Sequence, residues 1–409
     1  MNEEPQKAAE RRRNRTIGAN TSERRELSTK AFDVAVSAAS AAFCGFSLQI
    51  AQMPNVFRVG LIGYGLAGES FHAPLIVTTP ELRLDVIVTG HPERQQKAAQ
   101  THPGARVIDS TDRLWERGDD VDLIVIASPN RTHAPLTMEA LTRGKHVVVD
   151  KPFAGSVNEA LPLVAEAKRR GLVLSVFQNR RWDGDFLTVR KLLAEKALGD
   201  PLRFESRFDR WRLIPRENWR ERGAPEEAGG LLFDLGSHLI DQALLLFGPA
   251  RHVYAELDRR RPGVYVDDDS FVALTHANGV RSHLFMSSLV AQPGPRFRLL
   301  GSRAAYVKWG MDPQEAKLRQ GQRPEGPGFG AYMAEESGTL GAAGEVKQVP
   351  TEAGDYRQFY QGMVEALHGV ASPPVDPREA IAGLAVIEAA RRSAADNCVV
   401  PVANTAFST

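Results

Sequence analysis

The fold is decided by residues 57–68, which read Phe-Arg-Val-Gly-Leu-Ile-Gly-Tyr-Gly-Leu-Ala-Gly. A short apolar run leads into the spacing Gly-x-Gly-x-x-Gly, and a helical pattern follows, which is the order found in dinucleotide-binding folds. Gly63 permits the tight turn, Gly65 lets the backbone approach a pyrophosphate, and Gly68 lets the helix pack close to the strand. The helix N-terminus favours negative charge, so the pattern predicts nucleotide phosphates at this turn.

Further apolar runs support this interpretation of the glycine turn. They predict buried parallel strands at residues 84–89, 123–127, 146–149 and 172–177, separated by helical or turn-rich segments. We therefore predict an α/β fold with a doubly wound parallel sheet. A purely structural glycine turn without a nucleotide is the alternative.

The end of the second predicted strand bears on the choice of cofactor. NAD enzymes usually place Asp or Glu there to bind the ribose hydroxyls. This chain has Thr89, His91 and Arg94 instead, which could accommodate a 2′-phosphate and favour NADP over NAD. Glu93 argues for NAD, and a solvated loop without a binding role is a further alternative.

The composition limits the class of partner. The 409 residues include 51 Lys+Arg and 50 Asp+Glu, and a net charge of +1 offers no broad basic face for nucleic acid. Cys44 and Cys398 cannot form a disulfide framework, and no Cys/His cluster has zinc spacing, so we expect no metal and a reducing, cytoplasmic location. A small-molecule partner fits best, and we expect no interaction with a membrane.

The first 52 residues differ from the rest. Arg24-Arg25 precede an Ala/Ser-rich apolar run, as in a twin-arginine export signal. Glu26 and Asp33 weaken that pattern, whereas Met53 directly precedes the first strand. We therefore favour a disordered or non-native extension over an export signal.

Two groups of residues are candidates for a catalytic role. Lys151 follows the fourth strand, where it could stabilise an alkoxide beside a nicotinamide. Asp234 and His238 lie i and i+4 on an apolar helix over residues 229–247, so a carboxylate could orient an imidazole that acts as general acid or base. A capping Asp and a core His are the structural alternative. We interpret residues 267–269, three consecutive Asp, as a solvated turn.

These motifs together resemble the Gfo/Idh/MocA family of oxidoreductases over residues 54–400. The resemblance rests on residues 63–68, on residues 128–130 with His133, on residues 150–152 and on residues 234–238. It is closest to the scyllo-inositol dehydrogenase branch, which is similar at residues 63–72, 179–183, 219–221 and 234–242.

The resemblance implies a Rossmann domain over residues 53–177 and a C-terminal α+β domain over residues 178–409, whose large open mixed sheet often packs against another subunit in a dimer or tetramer. It also implies that Lys151 is the catalytic lysine, His238 the acid/base and Asp234 its partner. Asp150 departs from the more frequent Glu. The predicted cofactor-binding residues are Gly63, Gly65, Leu66, Ala67, Gly68, Thr89, His91, Arg94, Ser128, Pro129, Asn130, His133, Asp150 and Lys151.

Guanidinium and carboxylate groups can hydrogen-bond the hydroxyls of a polyhydroxylated ring, and an aromatic ring can pack against its C–H face. The predicted substrate-binding residues are Arg180, Trp182, Asp183, Arg212 and Trp219, although Arg212 and Trp219 could equally be surface or interface residues. We expect a dehydrogenase or reductase acting on a cyclic polyol or sugar. A non-catalytic nucleotide-binding regulator and an NAD-dependent, redox-neutral glycosidase remain alternatives.

Overall fold

The computed structural model describes residues 56–116, 121–223, 227–326 and 328–403, which form two sheets with helices packed on them. The predicted N-terminal extension, residues 1–52, lies outside the described residues, so that prediction is untested. The strands of the first sheet are β1 (Phe57–Ile62), β2 (Leu82–Val88), β3 (Arg106–Ile108), β4 (Leu123–Ile126), β5 (His146–Asp150) and β6 (Leu174–Phe177).

The first sheet is entirely parallel, with the order β3-β2-β1-β4-β5-β6. The order reverses beside β1, so the ends of β1 and β4 flank the crevice where doubly wound sheets bind ligands. All four residues of β4 are buried, as expected of a central parallel strand covered on both faces. The predicted doubly wound fold is confirmed; the short edge strand β3 escaped prediction.

The helices cover both sheets. They are α1 (Gly68–His72, continuing as Ala73–Val77), α2 (Pro92–Thr101), α3 (Thr111–Trp115), α4 (His133–Thr142), α5 (Val157–Arg170), α6 (Gly184–Ala194), α7 (Trp219–Arg222), α8 (Leu232–Gly236, continuing as Ser237–Phe247), α9 (Gln314–Arg319), α10 (Arg357–Leu367) and α11 (Pro377–Asp396), with 3-10 turns at Asn130–Thr132, Asn179–Trp182 and Ala334–Glu336.

The second sheet is mixed. Its strands are β7 (Pro201–Asp209), β8 (Ala250–Asp258), β9 (Asp269–His276), β10 (Arg281–Ser287), β11 (Phe297–Gly301), β12 (Ala305–Lys308), β13 (Gly338–Ala342), β14 (Glu345–Val349) and β15 (Val400–Pro401). Their order is β14-β13-β12-β11-β7-β10-β9-β8-β15, and only the β7–β10 pair among these described strands is parallel. Helix α8 packs on one face of this sheet, which confirms the predicted C-terminal α+β fold.

The prediction of a solvated turn at residues 267–269 is wrong. Asp268 is buried and accepts hydrogen bonds from Arg261. Asp267 accepts a hydrogen bond of 2.7 Å from the backbone N–H of Leu232, so it caps α8. Gly230 precedes this cap with φ +90°, and a Cβ there would lie 2.0 Å from Asp267 Oδ1. The helix therefore begins at Leu232, later than predicted, because Gly230 adopts a left-handed conformation that interrupts it.

The C-terminal helices return to the first sheet. Glu388 on α11 accepts a hydrogen bond of 2.8 Å from the backbone N–H of Val157 at the start of α5. The Ser175 hydroxyl on β6 donates to the carbonyl of Val375 at 2.9 Å. These contacts, the second of which is buried, hold the two sheets in one compact unit and fix the cleft between them.

None of the helices in the described ranges is long and apolar enough to cross a membrane.

Candidate active site

The glycine turn leaves room for a phosphate at only one of its three glycines. A Cβ on Gly63, whose φ is +102°, would lie 2.5 Å from the carbonyl oxygen of Ala127, and one on Gly68 would lie 2.0 Å from the carbonyl oxygen of Gly63. Both glycines are thus required by packing of the backbone itself. At Gly65 the nearest atom to an added Cβ is Nη1 of Arg94, at 3.6 Å. The open backbone here, with a cation beside it, fits a dinucleotide pyrophosphate.

The residues predicted to select the cofactor lie where β2 ends and α2 begins. Thr89 is buried, and its carbonyl accepts a hydrogen bond from the side chain of Gln95. His91 precedes α2, and its side chain and that of Arg94 are exposed. Because Nη1 of Arg94 lies beside Gly65, its guanidinium is available to a phosphate at the glycine turn.

The loop after β4 is held in place by hydrogen bonds to neighbouring segments. His133 is buried, and its Nδ1 and Nε2 lie 2.7 and 3.0 Å from the carbonyl oxygens of Pro152 and Ser128. The Asn130 amide donates to the carbonyl of Ala228 at 3.0 Å. These residues position the ends of β4 and β5 against the segment before α8. Pro129 precedes the 3-10 turn, and the Ser128 hydroxyl lies 2.6 Å from that of Thr132.

Lys151 and Asp234 form the central pair of the cleft. The Lys151 ammonium donates to the backbone carbonyl of Asp234 at 2.5 Å and to its Oδ1 at 3.1 Å. Burial would raise the pKa of Asp234, but Lys151, Arg210 and Arg220 together hold it well below its usual range. An ammonium has three donors, so one remains for a substrate oxygen.

His238 lies one turn after Asp234 and also lines the cleft. Neither ring nitrogen has a hydrogen-bond partner among the described residues, and Nδ1 is fully buried. Burial and the charge of Lys151 lower the pKa of His238 well below its usual value, although Asp234 opposes the shift. The imidazole is therefore neutral. Asp234 shares a helical face with His238, as predicted, but its hydrogen bonds go to Lys151 rather than to the imidazole.

Asp150 links the lysine to a buried histidine. Its Oδ1 accepts from the backbone N–H of Lys151 at 2.8 Å and lies 3.9 Å from Nε2 of His72. The other ring nitrogen of His72 lies 2.7 Å from the Tyr360 hydroxyl, and burial lowers the His72 pKa to about 4. The distance between Asp150 Oδ1 and His72 Nε2 is too long for a hydrogen bond, and Nε2 has no other partner among the described residues.

The predicted substrate residues separate into two groups. Arg180 and Arg212 line the cleft. Asp183 is fully buried and accepts from the Tyr356 hydroxyl at 2.6 Å, and Trp182 packs on Phe359. Trp219 stacks under the guanidinium of Arg220. These last three do not line the cleft.

Sequence reasoning missed several cleft residues, and a local charge count would have found some of them. Residues 207–222 contain six arginines within an otherwise neutral chain. The unpredicted residues lining the cleft include Phe71, Phe177, Asn179, Arg210, Arg216, Asn218, Arg220, Glu221, Arg261, Asp267, Glu315 and Arg319. No group of three metal-ligating side chains occurs in the part of the chain that the structure describes.

The glycine turn has room for a pyrophosphate, and it lies at the edge of a doubly wound sheet beside a lysine–aspartate pair. These features define an NAD(P)-binding oxidoreductase. The chain belongs to the Gfo/Idh/MocA oxidoreductase family: its NAD-binding Rossmann fold model matches residues 57–178, and its C-terminal alpha/beta domain model matches residues 190–402.

Similar proteins agree with this assignment over most of their length. The oxidoreductase YdgJ of Escherichia coli (strain K12) is 42% identical over 346 residues, which cover 84% of this chain and 97% of that protein. The scyllo-inositol 2-dehydrogenase (NADP(+)) IolW of Bacillus subtilis (strain 168) is 33% identical, covering 83% of this chain and 94% of that protein. The solved structure of yvaA from Bacillus subtilis is 32% identical with a TM-score of 0.80, covering 86% of this chain and 100% of that one.

Proposed function

We propose that this oxidoreductase transfers hydride between NADP and a hydroxyl or ketone of a cyclic polyol or sugar of the inositol type. The observation that carries the proposal is the Lys151–Asp234 pair beside the neutral His238, at the mouth of the glycine turn. The similarity to IolW, which is named as an NADP(+) enzyme acting on scyllo-inositol, supports the substrate class and the cofactor.

The protein's part in the reaction is to bind, orient and move a proton. The glycine turn would hold the pyrophosphate, Arg94 a 2′-phosphate, and the residues at the ends of β4 and β5 the nicotinamide side. A bound nicotinamide supplies or accepts the hydride. In the oxidative direction the neutral imidazole of His238 accepts the hydroxyl proton, and the free donor of Lys151 stabilises negative charge that develops on the oxygen. Asp234 keeps the ammonium oriented.

The open face of the second sheet supports assembly of a homo-oligomer. Phe271 and Phe285 on this face have ring centroids 4.9 Å apart, and the Arg207 guanidinium lies 4.2 Å from the Phe285 ring. Half-buried aromatic groups with an arginine are typical of subunit interfaces. We propose a dimer or tetramer formed through this face.

The test is a panel of inositol isomers and aldoses assayed for reduced nicotinamide with NAD and NADP in parallel. We expect turnover with at least one polyol, higher kcat/KM with NADP, and loss of that cofactor preference in Arg94→Gln. Tight binding of NADPH without turnover on any compound would instead favour a regulator. Release of an aglycone from glycosides without net change in reduced cofactor would favour the redox-neutral glycosidase.

A further inference from the structure

The cleft carries more positive charge than its own acids can balance. Among its described lining residues, eight side chains are Lys or Arg and five are Asp or Glu. The chain as a whole is close to neutral, so this excess is local. Like charges in a partly buried site repel one another, so clustered arginine side chains need anions that offset their charge.

Four of the arginines are already paired within the protein. Arg180 and Arg319 both bind Glu315, the second at 2.8 Å. Arg212 and Arg261 both bind Glu221, at 3.2 and 3.0 Å. These pairs line the cleft, and Asp234 is the acid that lies nearest to Arg210 and Arg220.

Three other arginines that line the cleft, Arg210, Arg216 and Arg220, make no side-chain hydrogen bond with an acid among the described residues. Nη1 of Arg210 lies 3.8 Å from Oδ2 of Asp234, and Nε of Arg220 lies 3.9 Å from Oδ1, which Lys151 already occupies. The exposed guanidinium of Arg216 has no acidic partner at all among those residues. We call these three residues the arginine wall.

The positive charge of the arginine wall is only partly offset by neighbouring acids. Burial lowers the pKa of Arg210, and partial desolvation lowers that of the more exposed Arg216; Arg212 lowers both further, while Asp234 with Glu315 or Glu221 opposes these shifts only in part. A planar guanidinium donates two parallel hydrogen bonds to a carboxylate or a phosphate, and it is the side chain that proteins use most for such groups. A neutral hydroxyl would satisfy donors without offsetting the charge.

The arginine wall is placed for the substrate rather than for the cofactor. The predicted phosphate positions of the cofactor lie at Gly65 and near Arg94, on the first domain. Arg210 and Arg220 instead flank the carboxylate that holds Lys151, on the side formed by the second domain. An anion bound there would lie next to the reacting oxygen.

We propose that the arginine wall binds an oxyanion of the substrate, so that the preferred compound is a cyclic polyol or sugar that carries a carboxylate or a phosphate. The inference rests on the proposed hydride transfer at Lys151 and His238. Carboxylate and phosphate share the recognition chemistry, and matched substrates separate them.

The experiment compares compounds that share a ring and differ in one group. Glucose, glucuronate and glucose 6-phosphate form one set, and myo-inositol with its monophosphates forms the other. Turnover and calorimetric binding to the NADPH- or NADP-loaded protein are measured for the wild type, Arg210→Gln and Arg216→Gln. Arg190→Gln is the matched control, because Arg190 is exposed on α6 outside the cleft.

We expect an anionic member to exceed its neutral counterpart in kcat/KM or affinity by about tenfold or more, from at least one charge-assisted hydrogen bond. Arg216→Gln and Arg210→Gln should remove most of that preference, and Arg190→Gln should retain it. The better of glucuronate and glucose 6-phosphate identifies the anion.

Three results would overturn the inference: neutral compounds preferred in both sets, a preference unchanged by both wall variants, or anions that compete with NADP instead of with the second substrate. Turnover confined to neutral compounds would leave the proposed hydride transfer intact. Binding of an anion that depends on Arg216, without turnover of any compound, would support the arginine wall and contradict the proposed function.

Discussion

At the scale of single residues, the chemistry depends on which neighbouring side chain is hydrogen-bonded to Asp234. Its hydrogen bonds go to Lys151, so the carboxylate stabilises the ammonium and leaves the imidazole of His238 without a partner among the described residues. Burial and Lys151 then keep His238 neutral. A sequence shows that Asp234 and His238 share a helical face, but it does not show that a distant strand brings Lys151 to Asp234.

The charge of Lys151 should be measurable at His238. In Lys151→Met one cation that lowers the His238 pKa is removed while the nearby Asp234 stays, so the pKa should rise toward its ordinary value. NMR titration of the ring signals measures this directly, without any need for activity. Lys168→Met, an exposed lysine on α5, is the control and should leave the pKa unchanged. An unchanged or lower pKa in Lys151→Met would contradict the assigned electrostatics.

The predicted substrate-binding residues show that residue type alone does not determine which side chains line the cleft. Arg180 and Asp183 are three positions apart and were predicted together, yet only Arg180 lines the cleft. Asp183 faces Tyr356, which lies 173 positions along the chain. Such long-range partners decide which polar groups are buried, and no local pattern reports them.

At the scale of elements, different glycines of the glycine turn are needed for folding and for cofactor binding. In Gly68→Ala the new Cβ would meet the Gly63 carbonyl at 2.0 Å, whereas in Gly65→Ala the nearest atom is a mobile arginine terminus at 3.6 Å. Gly68→Ala should therefore lower the free energy of unfolding by about 1–3 kcal/mol, as overpacking does. Gly65→Ala should fold normally and weaken NADP binding. Chemical denaturation and calorimetry check the two effects, and equal stability losses would refute the distinction.

Helix α6 contains a buried acid that should make stability depend on pH. Asp185 lies 3.7 Å from Nε of Arg296, its oxygens have no hydrogen-bond partner among the described residues, and burial raises its pKa from 3.8 to about 6. Because the folded pKa is raised, its contribution to stability is complete below about pH 4 and is lost as pH rises through about 6.

Asp185→Asn should therefore reduce the fall in unfolding free energy across that pH interval, by up to about 3 kcal/mol. Urea denaturation at pH 4 to 7 measures it. The exposed Asp200→Asn serves as control and should follow the wild type. A parallel fall in all three proteins would show that Asp185 is not the titrating group.

Local patterns predicted the elements that lie near the glycine turn better than those elsewhere. The three-residue β3 could not be predicted, because it is too short for a pattern and exists through its pairing with β2. The start of α8 was placed too early because Asp267, which caps it, comes 35 positions later.

At the scale of the whole molecule, the open face of the second sheet should determine the oligomeric state. Phe285→Asp places a charge among the half-buried rings of this face and should shift the protein to a smaller species in sedimentation velocity. Val370→Asp is the control, since Val370 is 76% exposed on a loop outside the sheet. A wild type that is already monomeric, or a Phe285→Asp variant of unchanged mass, would refute assembly through this face.

The proposed hydride transfer depends on Lys151 and His238 acting on a substrate rather than on the cofactor or the fold. The most direct measurement is kcat for Lys151→Ala and His238→Ala on the best compound of the substrate panel, together with the Kd for NADPH. We predict that each substitution lowers kcat by about 100-fold or more while the Kd stays within about threefold. Near-native kcat in both variants would contradict the assigned catalytic roles.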